Sequence, residues 1–426
     1  MINKYLHWLN QHQFHGIKPG LYRIQRLLKK LGYPQKKYPT IHVAGTNGKG
    51  STCAILSTVL THLGLKTGLY TSPHLIKLNE RFKINGKDIE DTALLELLKL
   101  LYFHVEEPIT YFELTTALAF LYFAEENVDI AVIEVGLGGR LDATNVITPE
   151  VSIITTIGFD HTKYLGSALE SIAFEKSGII KRKKPLLLGN IPSRALEVII
   201  DRALKLDAPY YILNKDFFVY LNNDLWTYIG KHIFPNLNLS LKGTYQGENL
   251  ALALKTLEIL EDKDFIKIEE PLLREALTKV YWEGRYKRIN LSQKEILIDC
   301  AHNMEGVLAL KNSFEKEGFY PYLLLIGATN EDGEKPFSLL YKILSPYAQK
   351  VFFTEFSSER KIVTIEDWKS ALNLDNRKST QNFQFFKDPS LALITALKER
   401  VDKILITGSI YFVGEILKVI KGIKND

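Results

Sequence analysis

The run Ile41-His-Val-Ala-Gly-Thr-Asn-Gly-Lys-Gly-Ser-Thr52 leads a short apolar segment into a turn with three glycines and one lysine, and then straight into a helix-forming stretch. A strand's carboxyl end is thereby joined to a helix's amino end through a flexible loop, which is phosphate-binding architecture. Gly45, Gly48 and Gly50 let the backbone turn its N–H groups inward. The new helix adds its positive end, and Lys49 supplies a charge that can reach β- and γ-phosphates. A lysine inside a glycine nest has no packing reason to be there, so an ATP- or GTP-user is the first expectation. The strict P-loop pattern has Ser or Thr directly after the lysine, whereas here Gly50 precedes Ser51. That spacing fits GTPases and ordinary kinases poorly.

At 426 residues the chain is too long for one ordinary core and implies two or three domains of roughly 100–200 residues each. No apolar run approaches the roughly 20 residues that cross a bilayer, and the first residues lack the apolar core of a signal peptide. A cytoplasmic protein without a membrane partner is expected. With only Cys53 and Cys300, buried free thiols are expected rather than a disulfide framework. The net charge is +5, and its 54 basic residues are spread widely. Anionic small substrates explain this balance, and no nucleic acid is required. The densest basic run, Lys181-Arg-Lys-Lys184, reads as a solvated turn.

Two amphipathic helices, about Asn3 to Gln13 and Leu21 to Leu31, open the chain on either side of a Gly- and Pro-containing break at 16–20. Short β-branched or aromatic runs follow at Ile41 to Ala44, Thr67 to Tyr70, Ile130 to Val135, Val151 to Thr156 and Pro185 to Leu188. Helical stretches lie between most of them, so the pattern predicts an α/β fold built on a doubly wound parallel sheet. From Tyr210 to Leu241 aromatic and aliphatic residues alternate with polar ones between Asn-rich turns, which predicts a small antiparallel annex. Helices are expected at Gly247 to Leu260 and Glu269 to Trp282. A second strand–helix alternation then predicts a smaller Rossmann-like α/β domain, with strands at Ile296 to Asp299, Tyr322 to Ile326, Val351 to Thr354 and Ile404 to Thr407. The boundary is placed near Gly284, giving domains 1–284 and 285–426.

Three further segments carry chemistry. The strand of Asp129-Ile-Ala-Val-Ile-Glu-Val-Gly-Leu-Gly-Gly-Arg-Leu-Asp-Ala-Thr-Asn145 ends in the carboxylate of Glu134. Open α/β sheets bind ligands at that end, and beside a nucleotide loop such a carboxylate commonly holds Mg²⁺; capping the next turn is the competing role. Gly136, Gly138 and Gly139 do not complete a dinucleotide fingerprint, because its third glycine would fall on Leu141. His161 follows another apolar strand and can offer a neutral imidazole to a metal. Taken alone, a loop histidine reads equally as structural, and Lys176 as a surface lysine.

Together these segments resemble the folylpolyglutamate synthase and bifunctional dihydrofolate synthase family of the Mur-ligase superfamily. The resemblance spans nearly the whole chain. It is carried by the P-loop, Thr71-Ser-Pro-His-Leu75 with Asn79-Glu-Arg81, Thr110-Tyr-Phe-Glu113, Glu134 to Asn145, Asp160-His161, Glu175-Lys-Ser-Gly178, Gly284-Arg285 and Asp299-Cys-Ala-His-Asn303. It implies that Thr46, Asn47, Gly48 and Lys49, with Gly50 and Ser51, hold the triphosphate of ATP. Ser72, Glu134 and His161 would coordinate Mg²⁺, present as two ions, with Ser51 as a further ligand. Lys176 matches the family lysine carbamylated by CO₂, which turns a cation into an anion able to bind metal; only the uncharged amine attacks CO₂, and burial among cations favours that form.

The resemblance also implies that Asn249, Arg285 and Asp299 contact ATP from across a cleft, with a structural salt bridge as the competing role for Arg285. His302 is a lesser candidate. Thr110, Tyr111, Phe112 and Glu113, together with Leu141, Asp142 and Ala143, match segments lining the pteroate site; without the resemblance Tyr111 and Phe112 would read as core aromatics. The implied activity is ATP-dependent ligation of L-glutamate to a folate or to dihydropteroate through an acyl phosphate, catalysed by Lys49, Lys176, His161 and Arg285 in a monomer. Alternatives are a UDP-sugar peptide ligase of the same superfamily and a nucleotide switch without ligase chemistry. Some positions depart from the family: the segment 330–335 replaces a usual Asp-Lys-Asp, Met304 replaces Pro, Ser177 replaces Ala, and Tyr245 replaces His.

Overall fold

The computed structural model describes residues 2–16, 18–106, 108–330, 337–358, 360–372 and 382–425; residues 331–335 of the atypical loop lie outside them. The chain forms two compact units. The first comprises 1–158, 165–240 and 247–281, and the second 159–164, 241–246 and 282–426. The main passage between them falls at Tyr281/Trp282, and two six-residue segments before it, 159–164 and 241–246, also belong with the second unit.

The first unit is built on an eight-stranded sheet. Its strands are β1 (Thr40–Ala44), β2 (Thr67–Tyr70), β3 (Phe82–Ile84), β4 (Lys87–Asp88), β5 (Ile130–Glu134), β6 (Val151–Ile154), β7 (Leu186–Leu188) and β8 (Tyr210–Ile212). They lie in the order β4-β3-β2-β5-β1-β6-β7-β8. Every pairing from β2 through β8 is parallel, while β3 and β4 form an antiparallel edge. The central strands β1, β5 and β6 are buried at every position, which is why they read as continuous apolar runs without alternation. Helix Lys49–His62 packs on β1, β2 and β5. Helix Tyr111–Glu125 joins Tyr70, Phe82 and Ile133 in one core cluster.

Two features differ from the sequence expectation. Tyr210–Ile212 pairs in parallel with β7, so it extends the main sheet instead of opening the annex. It follows helix Ser193–Lys205 and so completes a strand–helix–strand crossover, which its aromatic alternation could not distinguish from a hairpin strand. The annex is only β9 (Phe218–Asn222), β10 (Leu225–Ile229) and β11 (Ile233–Leu237), all antiparallel. The β3–β4 edge was missed, although its turn Asn85-Gly86, with φ of 50° and 76°, is the strongest short hairpin signal there is.

The second unit holds a six-stranded sheet of β12 (Lys287–Leu291), β13 (Lys294–Ile298), β14 (Tyr322–Ile326), β15 (Ala348–Thr354), β16 (Asn382–Phe386) and β17 (Lys403–Thr407). Its order is β12-β13-β17-β14-β15-β16, with only the β12–β13 pair antiparallel. Strands β12 and β16 had not been expected. Cys53 and Cys300 are both buried and free. No helix among the described residues is long and apolar enough to cross a membrane.

Candidate active site

In the first unit the P-loop leaves β1, Ser72 follows β2, Glu134 ends β5, and Thr155 and Thr156 follow β6, all at the carboxyl edge of neighbouring parallel strands. This is the edge at which open α/β sheets bind ligands. Gly48 caps helix Lys49–His62 in a left-handed conformation, φ 88°, and a Cβ on it would lie 2.4 Å from Asn249 Oδ1. A Cβ on Gly45 would lie 1.9 Å from Thr155 Oγ1. The glycines are thus demanded by close approach as well as by backbone shape. Thr52 Oγ1 donates to the same Asn249 oxygen at 3.3 Å, so Asn249, assigned to ATP, sits directly behind the loop.

The loop is held by two threonines that sequence reading did not single out. Asn47 N–H donates to Thr156 Oγ1 at 2.9 Å, and Thr155 Oγ1 donates to Asn47 O at 2.5 Å. Thr46 Oγ1 exchanges bonds with the backbone of Gly158, at 3.0 and 3.1 Å. Lys49 Nζ folds back on the carbonyls of Gly45 and Thr46, at 3.0 and 3.2 Å. Lys176 is buried on helix Leu169–Ser177, not on the surface, and its Nζ donates to Gly45 O at 2.9 Å. Ser51 is buried in the same loop. Glu134 is buried as well and accepts Ser72 N–H at 3.0 Å. The structure therefore brings Thr46 to Ser51, Lys176, Asn249, Ser72 and Glu134 into one unit.

Among the described residues no group of three or more His, Cys, Asp or Glu side chains is arranged to hold a metal ion. What the site offers is one buried carboxylate and the hydroxyls of Ser51 and Ser72. Such hard oxygen donors, too few for an all-protein cage, fit Mg²⁺, which keeps waters and takes substrate phosphate oxygens as ligands.

The two segments assigned to the pterin-bearing substrate are mostly self-bound. Thr110 and Glu113 form a capping box at the start of helix Tyr111–Glu125: Glu113 Oε2 accepts Thr110 N–H at 2.9 Å and Thr110 Oγ1 at 2.8 Å. Arg23, unremarked in the sequence, lies 3.1 Å from both Glu113 oxygens. Tyr111 and Phe112 are half-buried rather than core. Arg81 sits over the Tyr111 ring at 5.3 Å, and Phe112 stacks beside Tyr70 at 6.3 Å. Asp142 is buried, accepting from Leu137 N–H at 2.8 Å and Thr144 N–H at 3.0 Å. Burial pushes its carboxyl up, against the pull of those bonds. Leu141 is half-buried and Ala143 buried.

The second unit holds the remaining candidates. Asp160 stands between two imidazoles, with His161 Nε2 at 3.9 Å and His302 Nε2 at 3.4 Å from its Oδ2, and it accepts His161 N–H at 3.0 Å. Asp299 is buried at the end of β13 and accepts from Tyr286 N–H, Ala301 N–H and Tyr245 Oη, at 2.8, 2.8 and 3.0 Å. Burial raises the Asp299 carboxyl and the charge of Arg285 opposes it. Tyr245, a departure from the family, thus supplies one of the donors to an ATP-assigned residue.

A phosphate loop, a buried strand-end carboxylate and a second Rossmann-like unit define an ATP-dependent acid–amino acid ligase of the Mur type, and residues 43–257 match the Mur ligase middle domain. Residues 283–419 match the C-terminal domain of dihydrofolate synthetase, and the chain belongs to the dihydrofolate synthase/folylpolyglutamate synthase family. It is 35% identical to the Bacillus subtilis dihydrofolate synthase/folylpolyglutamate synthase, over 97% of this chain and 98% of that one. The crystal structure of a Thermotoga maritima folylpolyglutamate synthase superposes with a TM-score of 0.84 at 35% identity, covering 98% of this chain and 97% of the other. Escherichia coli FolC, in complex with DHPP and ADP, superposes with a TM-score of 0.88 at 28% identity, covering 99% and 98%. None of these relatives is a UDP-sugar peptide ligase.

Proposed function

We propose that this enzyme joins the amine of L-glutamate to the terminal carboxylate of a folate, and also to dihydropteroate, at the expense of ATP. In the first step a substrate carboxylate oxygen bonds to the γ-phosphorus as the bond to ADP breaks, giving an acyl phosphate. In the second the glutamate amine attacks the acyl carbon, a C–N bond forms, phosphate leaves and a proton is released. Such chemistry needs positioning and charge neutralisation more than a protein nucleophile. The observation that carries this reading is the convergence of Lys49 and Lys176 on the Gly45 carbonyl beside the Glu134 strand end.

In this reading the inward N–H groups of 46–51 and Lys49 bind the triphosphate, and Asn249 backs the loop. Ser51, Ser72, Glu134 and His161 are the residues that would hold Mg²⁺, which when bound offsets charge on the phosphate oxygens. Lys176 takes up CO₂ as a neutral amine, forming an N–C bond and releasing one proton, so that its carbamate joins those ligands. Arg285 and Asp299 of the second unit serve ATP, and Thr110 to Glu113 with Leu141 to Ala143 shape the pterin slot. Division of labour follows: residues 1–284 bind ATP and folate, and residues 285–426 complete the glutamate ligase. Purified protein with ATP and labelled glutamate, offered dihydropteroate and tetrahydrofolate separately, tests it. Mass-resolved product from each is expected; ATP turnover without a glutamylated product from either overturns the reading.

A further inference from the structure

His42 lies in the middle of β1 between Ile41 and Val43, beside Ile133 of β5 and Ser152 of β6, and it is wholly buried. Its Nε2 is 2.8 Å from Thr144 Oγ1, and Thr144 Oγ1 donates to Asp142 Oδ1 at 2.5 Å. A hydroxyl whose proton goes to a carboxylate can only accept from the imidazole, so the chain of bonds runs one way, from His42 Nε2–H to Thr144 to Asp142. This assigns the Nε2–H tautomer and leaves Nδ1 bare. Among the described residues Nδ1 indeed has no hydrogen-bond partner although it is buried. Burial first, and the charge of Lys181 second, push the imidazole down to about 3, so it is neutral in any physiological medium.

A buried imidazole with one orphaned nitrogen costs stability that a leucine at the same place would not. Its return is the link it makes. Residue 42 stands on the strand that feeds the phosphate loop, and residue 144 stands in the loop assigned to the pterin, 102 positions away in sequence. The other bonds to the Asp142 carboxylate come from its own loop, Thr144 N–H and Leu137 N–H, with the Gly136 backbone a further contributor. The His42 bond ties that cluster to β1 of the sheet.

We propose that His42 and Thr144 are positioning residues that set the geometry of Asp142, and with it of the Leu141 to Ala143 wall that faces the pterin-bearing substrate. The proposal rests on the reading of that segment as substrate-binding. It predicts an effect on affinity for one substrate only. In His42→Leu and in the isosteric Thr144→Val, KM for the pterin-bearing substrate rises about tenfold, the scale of one lost buried hydrogen bond. KM for ATP and kcat stay within about twofold of the parent, and His42→Leu melts no lower than the parent. Thr144→Ser, which keeps the hydroxyl, retains parental KM, and His42→Gln, which keeps an N–H donor, recovers most of it.

Steady-state kinetics with each substrate varied in turn, alongside thermal unfolding, decides the matter. Unchanged pterin KM in both His42→Leu and Thr144→Val, or a parallel rise in both KM values, overturns the relay. Asp142→Asn separates the two levels: if it raises pterin KM while the relay variants do not, the relay alone is wrong, and if it leaves pterin KM untouched, the assignment of the segment is wrong and the relay falls with it.

Discussion

Lys49 and Lys176 donate to the same oxygen: both Nζ atoms reach the carbonyl of Gly45, at 3.0 and 2.9 Å. Two ammonium groups on one carbonyl would lie no more than about 6 Å apart, where like charges repel and the neutral amine that attacks CO₂ is favoured at one of them. Lys49→Ala should lower kcat/KM for glutamate-dependent ADP release by at least ~10²-fold, the cost of losing one preorganised charge partner. Its melting temperature without ATP should not fall, and the stabilisation that ATP confers on the parent should disappear. Retained ATP-dependent stabilisation would refute Lys49 as a triphosphate ligand.

Gly48 combines a positive φ with contact against Asn249. Gly48→Ala therefore strains the backbone by about 1–2 kcal/mol and pushes on Asn249. ATP affinity, measured by calorimetry, should drop about tenfold or more while affinity for the folate substrate is preserved. Parental ATP affinity in this variant would show that the loop does not need this conformation.

The Thr156 hydroxyl is the partner of the Asn47 N–H. Thr156→Val keeps the shape and orphans that N–H at a cost of about 1–3 kcal/mol. KM for ATP should rise, and Thr156→Ser should restore it. Equal loss in the Val and Ser variants would mean that the methyl, not the hydroxyl, matters.

Burial, with Arg202 second, pushes Lys181 down from 10.5 to about 8, although its run had read as solvated; its Nζ donates to Asn145 Oδ1 at 2.8 Å. Between about pH 8 and 10.5 the unfolded chain keeps a proton that the native protein has released, so stability attributable to Lys181 rises with pH across that window. Urea unfolding of the parent and Lys181→Met at pH 7.5, 9 and 10 should show the parent gaining on the variant. Parallel curves would contradict the shift.

Glu261 joins the annex to helix Gln246–Asp262, meeting His232 Nε2 at 2.6 Å and Lys231 Nζ at 3.1 Å. Burial works to raise its carboxyl, but bonds from His232, the Ile268 N–H and Lys231 prevail and hold it at about 2. The stability this network adds is present above the unfolded carboxyl value near 4.5 and is lost as pH falls from there to about 2. In Glu261→Gln that part of the acid denaturation curve should flatten. A variant as acid-sensitive as the parent would remove Glu261 from the account.

Segments whose function depends on neighbours in sequence were legible. The glycines of 45–50 and the strand-end Glu134 announced a nucleotide site because loop shape and strand polarity are local properties. The Thr110–Glu113 capping box is equally local, whereas the approach of Arg23 to the Glu113 carboxylate is not. The β3–β4 hairpin carried its Asn-Gly signal and was overlooked. By contrast, nothing adjacent to Tyr210–Ile212 tells which sheet it joins, since a three-residue strand has too little pattern to choose a partner.

Order along the chain determined the class of fold, the phosphate loop and the type of ligand that loop takes, because these follow from backbone freedom and from the direction of a strand and a helix joined by a short turn. Only the folded packing decided that Lys176, 131 positions away, meets the Gly45 carbonyl, that Thr155 and Thr156 grip Asn47, and that His42 reaches Thr144. Those contacts join a helix, loops and strands set around one sheet, and their distances depend on strand order and register, which no local spacing encodes.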